Sequence, residues 1–233
     1  MNELLLFVTA VVSAVFVVVG WKLGKERLYS VMIVFLILIA SVGGKIVFFF
    51  GHETNTGNIF YASVFLATYF LIERYGRREG IYSIGVGVIA VLFFSTLVRI
   101  TIALAGSETT GPLNDALALA FGPVPRVAFA SLCAYAVSQS LNVYLYLLLK
   151  KRMQGRYLWL RANMCNIFAQ LLDGIVFFTI AFWGVASLPT VADVIVTGLI
   201  IKIAYMMVAS PLLYLNRFEE EEDSAGTVII TMN

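Results

Sequence analysis

The chain has 233 residues, of which 61% are hydrophobic, with a mean hydropathy of +0.92 and a formal net charge of +2. Soluble domains sit nearer half apolar, so this composition excludes an ordinary soluble globule. The small net charge hides segregated basic clusters, and these lie in short loops without a binding module, which argues against a nucleic-acid partner.

Seven apolar runs stand out, at about 4–20, 28–50, 59–72, 81–105, 127–149, 167–188 and 191–215. A bilayer core needs about 20 apolar residues per helix, with roughly 17–25 as the usual range. Six runs meet or nearly meet that length, and the third needs its flanks. The pattern predicts an all-α polytopic membrane protein with seven transmembrane helices. Lys22, Lys25 and Arg27 follow the first run, and Arg74, Arg77 and Arg78 follow the third. Lys150, Lys151, Arg152, Arg156 and Arg161 follow the fifth, and Arg217 follows the seventh, whereas the opposite loops contain only Arg126. The positive-inside rule then puts the N-terminus outside a cell membrane and the C-terminus in the cytoplasm, with lipid around the spans.

Glu3 instead of basic residues precedes the first run, and no small-x-small cleavage site follows, so residues 1–24 read as a retained helix. It ends in Gly20-Trp21-Lys22-Leu23-Gly24, where Trp21 suits an interface anchor and the glycines suit close helix approach. The second run contains Ser41-Val42-Gly43-Gly44-Lys45. This resembles a phosphate loop but lacks the earlier Gly and the following Ser or Thr. Lys45 reads instead as a charge several residues inside a span, either snorkelling outward or facing a cavity. His52, the only histidine, sits beside Glu53 in a loop and reads as solvent-facing.

The third run ends at Glu73-Arg74-Tyr75-Gly76, at the cytoplasmic boundary, where charges are ordinary. The fourth carries Arg99 near its outer end, explained by snorkelling as well as by function. The following loop predicts a short interfacial helix through Phe121, lying over a site, before the stiff Pro123/Pro125 turn restarts a helix near Arg126. Cys133 and Cys165 have no metal-type spacing and read as packing residues.

The fifth and sixth spans carry matching polar stripes. Ser131, Tyr135, Ser138/Gln139, Asn142 and Tyr146 recur at helical spacing on the fifth; Asn163, Asn166, Gln170, Asp173 and Phe177 do so on the sixth. One such residue could be interhelical glue, but two matching stripes point to the walls of a solute site. Lys202 lies near the centre of the seventh span, where an ionisable residue costs about 2.5–3.5 kcal/mol on insertion scales. Asp173 is its natural partner. Asp193 reads as solvated, and the acidic tail Glu219–Asp223 as disordered and cytoplasmic.

At these residues the chain resembles the queuosine-precursor transporters, part of the vitamin-uptake-like membrane proteins. The similarity covers roughly Ala40 to Tyr214. Lys45 matches the Lys of the family's first shared helix. Phe65-Leu66-Ala67-Thr68 and Glu73-Arg74-Tyr75-Gly76 look like its Phe-x-x-Thr-Asp-x-x-x-Glu-x-Tyr-Gly motif. Arg126 matches the Arg after the outer loop, with Ala130-Ser131 following. Ser138-Gln139 and Asn142 fall on Ser-Gln-x-x-Asp, and Leu158-Trp159-Leu160-Arg161, Gln170-x-x-Asp173 and Ile180–Gly184 look like the later block. Lys202 matches the last-helix Lys. The chain departs from the pattern at Tyr69 and Asn142, where the family has Asp, and at Val42, where it has Asn.

The resemblance implies import of 7-deazapurines such as preQ0 or preQ1. It also implies a six-helix transport domain over 28–217, similar to the substrate-binding subunits of energy-coupling transporters, with 1–24 as an added helix and 218–233 as a tail. The departures imply a neutral base rather than an aminomethyl one, or a different small solute. A guanine-like edge offers two donors and one acceptor, which Asp173, Gln139, Asn142 and Gln170 can read while Tyr135, Tyr69 or Phe177 stack on the ring. Lys45, Arg126 and Lys202 complete the expected site. A second reading is a passive binding subunit for another vitamin-like solute, working with a separate energy-coupling partner or as a homodimer. No cofactor or metal motif and no intramembrane carboxylate pair supports an enzyme.

Overall fold

The structure, a computed structural model, describes residues 1–121, 125–182 and 188–216. In chain order the elements are α1 (Asn2–Lys22), α2 (Lys25–Ser41), a hairpin of β1 (Ile46–Phe49) and β2 (His52–Asn55), α3 (Gly57–Tyr75), α4 (Arg77–Ala103), α5 (Gly111–Phe121), α6 (Pro125–Arg152), α7 (Leu158–Phe182) and α8 (Leu188–Ala209). Among the described residues, five helical segments are long and apolar enough to cross a membrane: Asn2–Lys22, Arg77–Ala103, Phe129–Arg152, Leu158–Ala181 and Ile195–Tyr214. Pro125 opens α6 and Pro189 lies in the first turn of α8, where a missing N–H removes no intrahelical bond.

α3 is the axis of the bundle. It packs against α1, α2, α4 and α8, and its residues from Ile59 to Leu71 are buried on every side except at Phe60. This enclosure explains its composition. A helix surrounded by protein can carry Asn58, Tyr61, Ser63, Thr68 and Tyr69, because the last four find partners on neighbouring helices and Asn58 finds Thr54 of β2. By contrast α1 exposes Leu4, Phe7, Val11, Val15 and Phe16, the pattern of a helix facing lipid. α6 and α7 form an antiparallel pair, and their turn is tightened by positive φ at Gln154, Gly155 and Tyr157.

Three sequence expectations need correction. The apolar run 28–50 is not one helix. α2 stops at Ser41, Gly43-Gly44 breaks the chain, and the remainder pairs as a hairpin with Ile46 opposite Asn55 and Phe49 opposite His52. The hairpin turn uses Phe50 at φ 48° and Gly51 at φ 85°, the double positive-φ geometry that matches strand twist. A short apolar run rich in Ile, Val and Phe suits a strand as well as a helix, so periodicity alone could not separate them. Lys45 therefore lies exposed between α2 and β1, outside any helix.

Trp21 is not a rim anchor. It is buried against Phe70, ring centroids 5.2 Å apart, with the Arg74 guanidinium 5.2 Å over its ring. Gly20 makes the fit possible, since an added Cβ would sit 2.9 Å from Val31 of α2. Arg161 is not a loop charge either: it sits on α7 with its side chain wholly buried.

Candidate solute-binding site

A cavity of about 380 Å³ opens at the end of the bundle opposite the basic turns. The end of α2, Asn55 of β2, the start of α3, the last part of α4, the first turns of α6, the middle of α7 and the first half of α8 all border it. Its walls are mostly apolar, from Leu36, Ile39, Phe94 and Leu199, with polar groups converging at the base. That mixture is the usual chemistry of a small-molecule site.

Three helices meet at one carboxylate in this base. Asp173 of α7 accepts a hydrogen bond from the Tyr61 hydroxyl of α3 at 2.7 Å on Oδ1, and from Ser138 of α6 at 3.4 Å on the same oxygen. Its Oδ2 lies 3.1 Å from Lys202 Nζ of α8. Tyr61 also lies 3.0 Å from Ser138 Oγ, and Lys202 Nζ sits 4.7 Å from the centre of the Tyr61 ring. Each charge at this depth is thus compensated, as burial requires. Gln170, one turn before Asp173, donates to Asn166 at 3.4 Å and leaves its buried Oε1 without a hydrogen-bond partner. Tyr135 stands over Tyr61 with ring centroids 6.3 Å apart, and Asn58 donates to Thr54 at 3.0 Å.

A second polar network lies deeper in the bundle. Gln139 donates to Thr68 Oγ1 at 3.0 Å and accepts from Asn142 at 3.0 Å; Asn142 in turn accepts from the Tyr69 hydroxyl at 2.6 Å. The Tyr69 ring stacks on Tyr146 at 4.6 Å, and the Arg161 guanidinium lies 5.2 Å over Tyr146. Arg161 ends the chain on Glu73 at 3.1 Å, which Lys150 also approaches at 3.2 Å. The last turn of α6 and the first turn of α7 therefore meet at an ion cluster around Glu73.

Of the expected site residues, Tyr135, Gln170, Asp173, Phe177 and Lys202 come together on the cavity. Gln139, Asn142 and Tyr69 do not line it; they satisfy one another in the deeper network. Lys45 stands outside the cavity, in the connection that precedes β1. Arg126 belongs to the first turn of α6, but its side chain lies outside the described residues, as do the side chain of Asp193 and the acidic tail. Phe121 ends α5 and borders the cavity mouth, with its ring 6.4 Å from Phe94, so the segment expected to lie over the site does reach it. Arg99 borders the cavity as well.

Sequence reasoning missed Tyr61, the group that links the carboxylate to α3. The signal was present: Asn58, Tyr61, Thr68 and Tyr69 share a stripe at helical spacing, like those on the fifth and sixth spans. Among the described residues, no three His, Cys, Asp or Glu side chains gather as a metal site would require.

Residues 55–216 match the protein family described as "Putative vitamin uptake transporter". The chain is 32% identical over 176 residues to a protein of Bacillus subtilis (strain 168) named "Probable queuosine precursor transporter", covering 73% of this chain and 74% of that protein. It is 29% identical over 133 residues to the "Queuosine precursor transporter" of Escherichia coli (strain K12), covering 57% of each. No solved structure matches the chain.

Proposed function

The chain belongs to the vitamin uptake transporter family, and from that premise we propose that it carries a queuosine precursor, a 7-deazapurine such as preQ0 or preQ1, into the cytoplasm. The observation that carries this reading is the cavity base, where Asp173 and Lys202 present complementary polar atoms within apolar walls and Gln170 borders them. A guanine-type edge sets a carbonyl oxygen beside two N–H donors. The Lys202 ammonium donates to the carbonyl, Asp173 Oδ2 accepts from the ring N–H, and Gln170, once its side chain turns toward the cavity, accepts from the exocyclic amine. Tyr135 flanks the ring plane.

In this reading α2 and α3 complete seven spans, with the N-terminus outside and the basic turns in the cytoplasm. α1 is then an addition to a six-helix transport domain. The cavity faces outward, and the Glu73–Arg161 cluster closes the inner end. Uptake of labelled preQ0 by cells unable to synthesise it tests the assignment. A hydrogen bond to a charged group contributes about 1.5–3 kcal/mol, so Asp173→Asn lowers uptake about 10- to 100-fold at equal membrane abundance. Unchanged uptake removes Asp173 from the site.

A further inference from the structure

α7 carries its polar residues in one line. Asn163, Asn166, Gln170 and Asp173 recur at helical spacing, so they share one side of the helix and span about 15 Å from the cavity base toward the basic turns. The amides of this column are underbonded. Gln170 donates to Asn166 at 3.4 Å, and Asn163 donates to Ser210 Oγ at 2.8 Å and to the Trp159 carbonyl at 2.8 Å. Gln170 Oε1, Asn166 Nδ2 and Asn163 Oδ1 are buried without a hydrogen-bond partner. The other such atoms among the described residues, on Trp21, Tyr146, Arg161 and Asn216, lie beside the basic turns and outside the column.

The seam between α3 and α6 at the same depth is the opposite. There Thr68, Tyr69, Gln139 and Asn142 bond one another and leave no side-chain atom unpartnered. A buried polar group without a partner carries its full desolvation penalty, so a fold retains one only for a reason. Three in succession on one helix face mark a packed arrangement that a second arrangement would relieve.

The wall facing the column is α8, since Asp173 meets Lys202 and Asn163 meets Ser210. Its two ends differ. At Lys202 the helix is regular and held by the ion pair. At Ser210 it gives way to a 3-10 helix, Ser210–Tyr214, with Pro211 at its start. Proline removes an intrahelical hydrogen bond, and a change of helix type is a common hinge. α7, by contrast, is tied to α3 by Arg161 on Glu73 and by the Tyr69 hydroxyl donating to the Ala162 carbonyl at 3.0 Å.

We propose that the inner half of the solute's route runs along this seam between α7 and α8. The segment around Ser210 and Pro211 swings away from α7, and Asn166 and Asn163 take the solute's polar edge on its way from the cavity base to the cytoplasm. The proposal rests on the transport reading above. Amides suit the task because each offers a donor and an acceptor without charge, so they pair with a heterocyclic edge and release it. In the closed seam those atoms lack partners, which lowers the cost of opening it.

Cysteine reactivity in inside-out vesicles tests the route with the full chain, its native Cys133 and Cys165 replaced by alanine. Asn166→Cys reports on the seam and Asn142→Cys on the satisfied network, with a membrane-impermeant thiol reagent added to the cytoplasmic face during preQ0 transport. Asn166→Cys reacts at least about tenfold faster, since one unmet buried bond relieved on opening is worth that ratio. Comparable rates, or faster reaction at position 142, overturn the route and leave transport standing. Asn163→Cys carries the same expectation and decides in place of Asn166→Cys if that variant does not reach the membrane. Passage is separated from binding by Asn166→Leu, which removes the amide at similar shape. Its maximal preQ0 uptake falls about tenfold, while the Kd of the purified protein for preQ0 stays within about threefold of the parent's. Unchanged maximal uptake, or a Kd weakened as much as the uptake, also overturns the route. Parent uptake no higher than that of cells without the protein overturns the transport reading and the route with it.

Discussion

Glu73 shows how much a single contact can decide. Its Oε1 receives Arg161 at 3.1 Å and Lys150 at 3.2 Å, but the two cations differ in setting. Arg161 is wholly buried, whereas the Lys150 side chain is about a third exposed. Removing the partner of a buried ion leaves an uncompensated charge, so Glu73→Gln lowers unfolding free energy by about 3–5 kcal/mol. Lys150→Met leaves the buried pair intact and costs about 1 kcal/mol or less. Denaturant unfolding in detergent, monitored at a tryptophan, measures both; equal effects would show that burial does not separate them. At this scale the sequence was legible where charge was anomalous. Asp173 and Lys202 stand in the middle of apolar runs, and such residues need a partner. Arg161 was illegible because it closes a series of five basic residues, and nothing local marks which one turns inward. Tyr69 and Asn142 misled for a related reason: helical phasing gives the face of a residue but not its depth.

The elements around the cavity depend on small residues as much as on polar ones. An added Cβ at Gly87 of α4 would collide with the Tyr135 hydroxyl and come within 2.9 Å of Leu36, both of which border the cavity. Gly85, one residue pair away, faces open space. Gly87→Val therefore costs about 1–3 kcal/mol through overpacking and lowers precursor uptake by displacing Tyr135. Gly85→Val leaves both properties near parental values. Uptake per transporter, normalised to membrane abundance, distinguishes the two; equal effects would remove Tyr135 from the cavity wall. The presence of α4, α6, α7 and α8 followed from apolar length and the restart of α6 from Pro123 and Pro125, but α7 begins at Leu158, well before the apolar run expected at 167–188. The hairpin of residues 46–55 did not follow, since its strands continue the apolar run of α2 and only Gly43-Gly44 interrupts it. Nor did the centrality of α3 follow. It is the least lipid-like of the long helices, and its many polar residues reflect enclosure by four neighbours.

Across the whole molecule the polar groups divide between two levels. The upper level borders a cavity and contains Tyr61, Gln170, Asp173 and Lys202; the lower level lies away from it and ends at Glu73, Lys150 and Arg161. Membrane character and polytopic organisation were legible from composition alone. The division was not, because it depends on which residues of α3 meet which of α6 and α7. The central claim is that the upper cavity holds the transported solute. Leu199 borders it from α8 and is partly accessible. The most direct test places Leu199→Cys in a chain whose native Cys133 and Cys165 are replaced by alanine, and follows reaction with a membrane-impermeant thiol reagent added to intact cells. The account predicts that the cysteine reacts and that preQ0 slows the reaction in proportion to occupancy. A variant that still transports preQ0, yet reacts at the same rate with and without saturating preQ0, would contradict it.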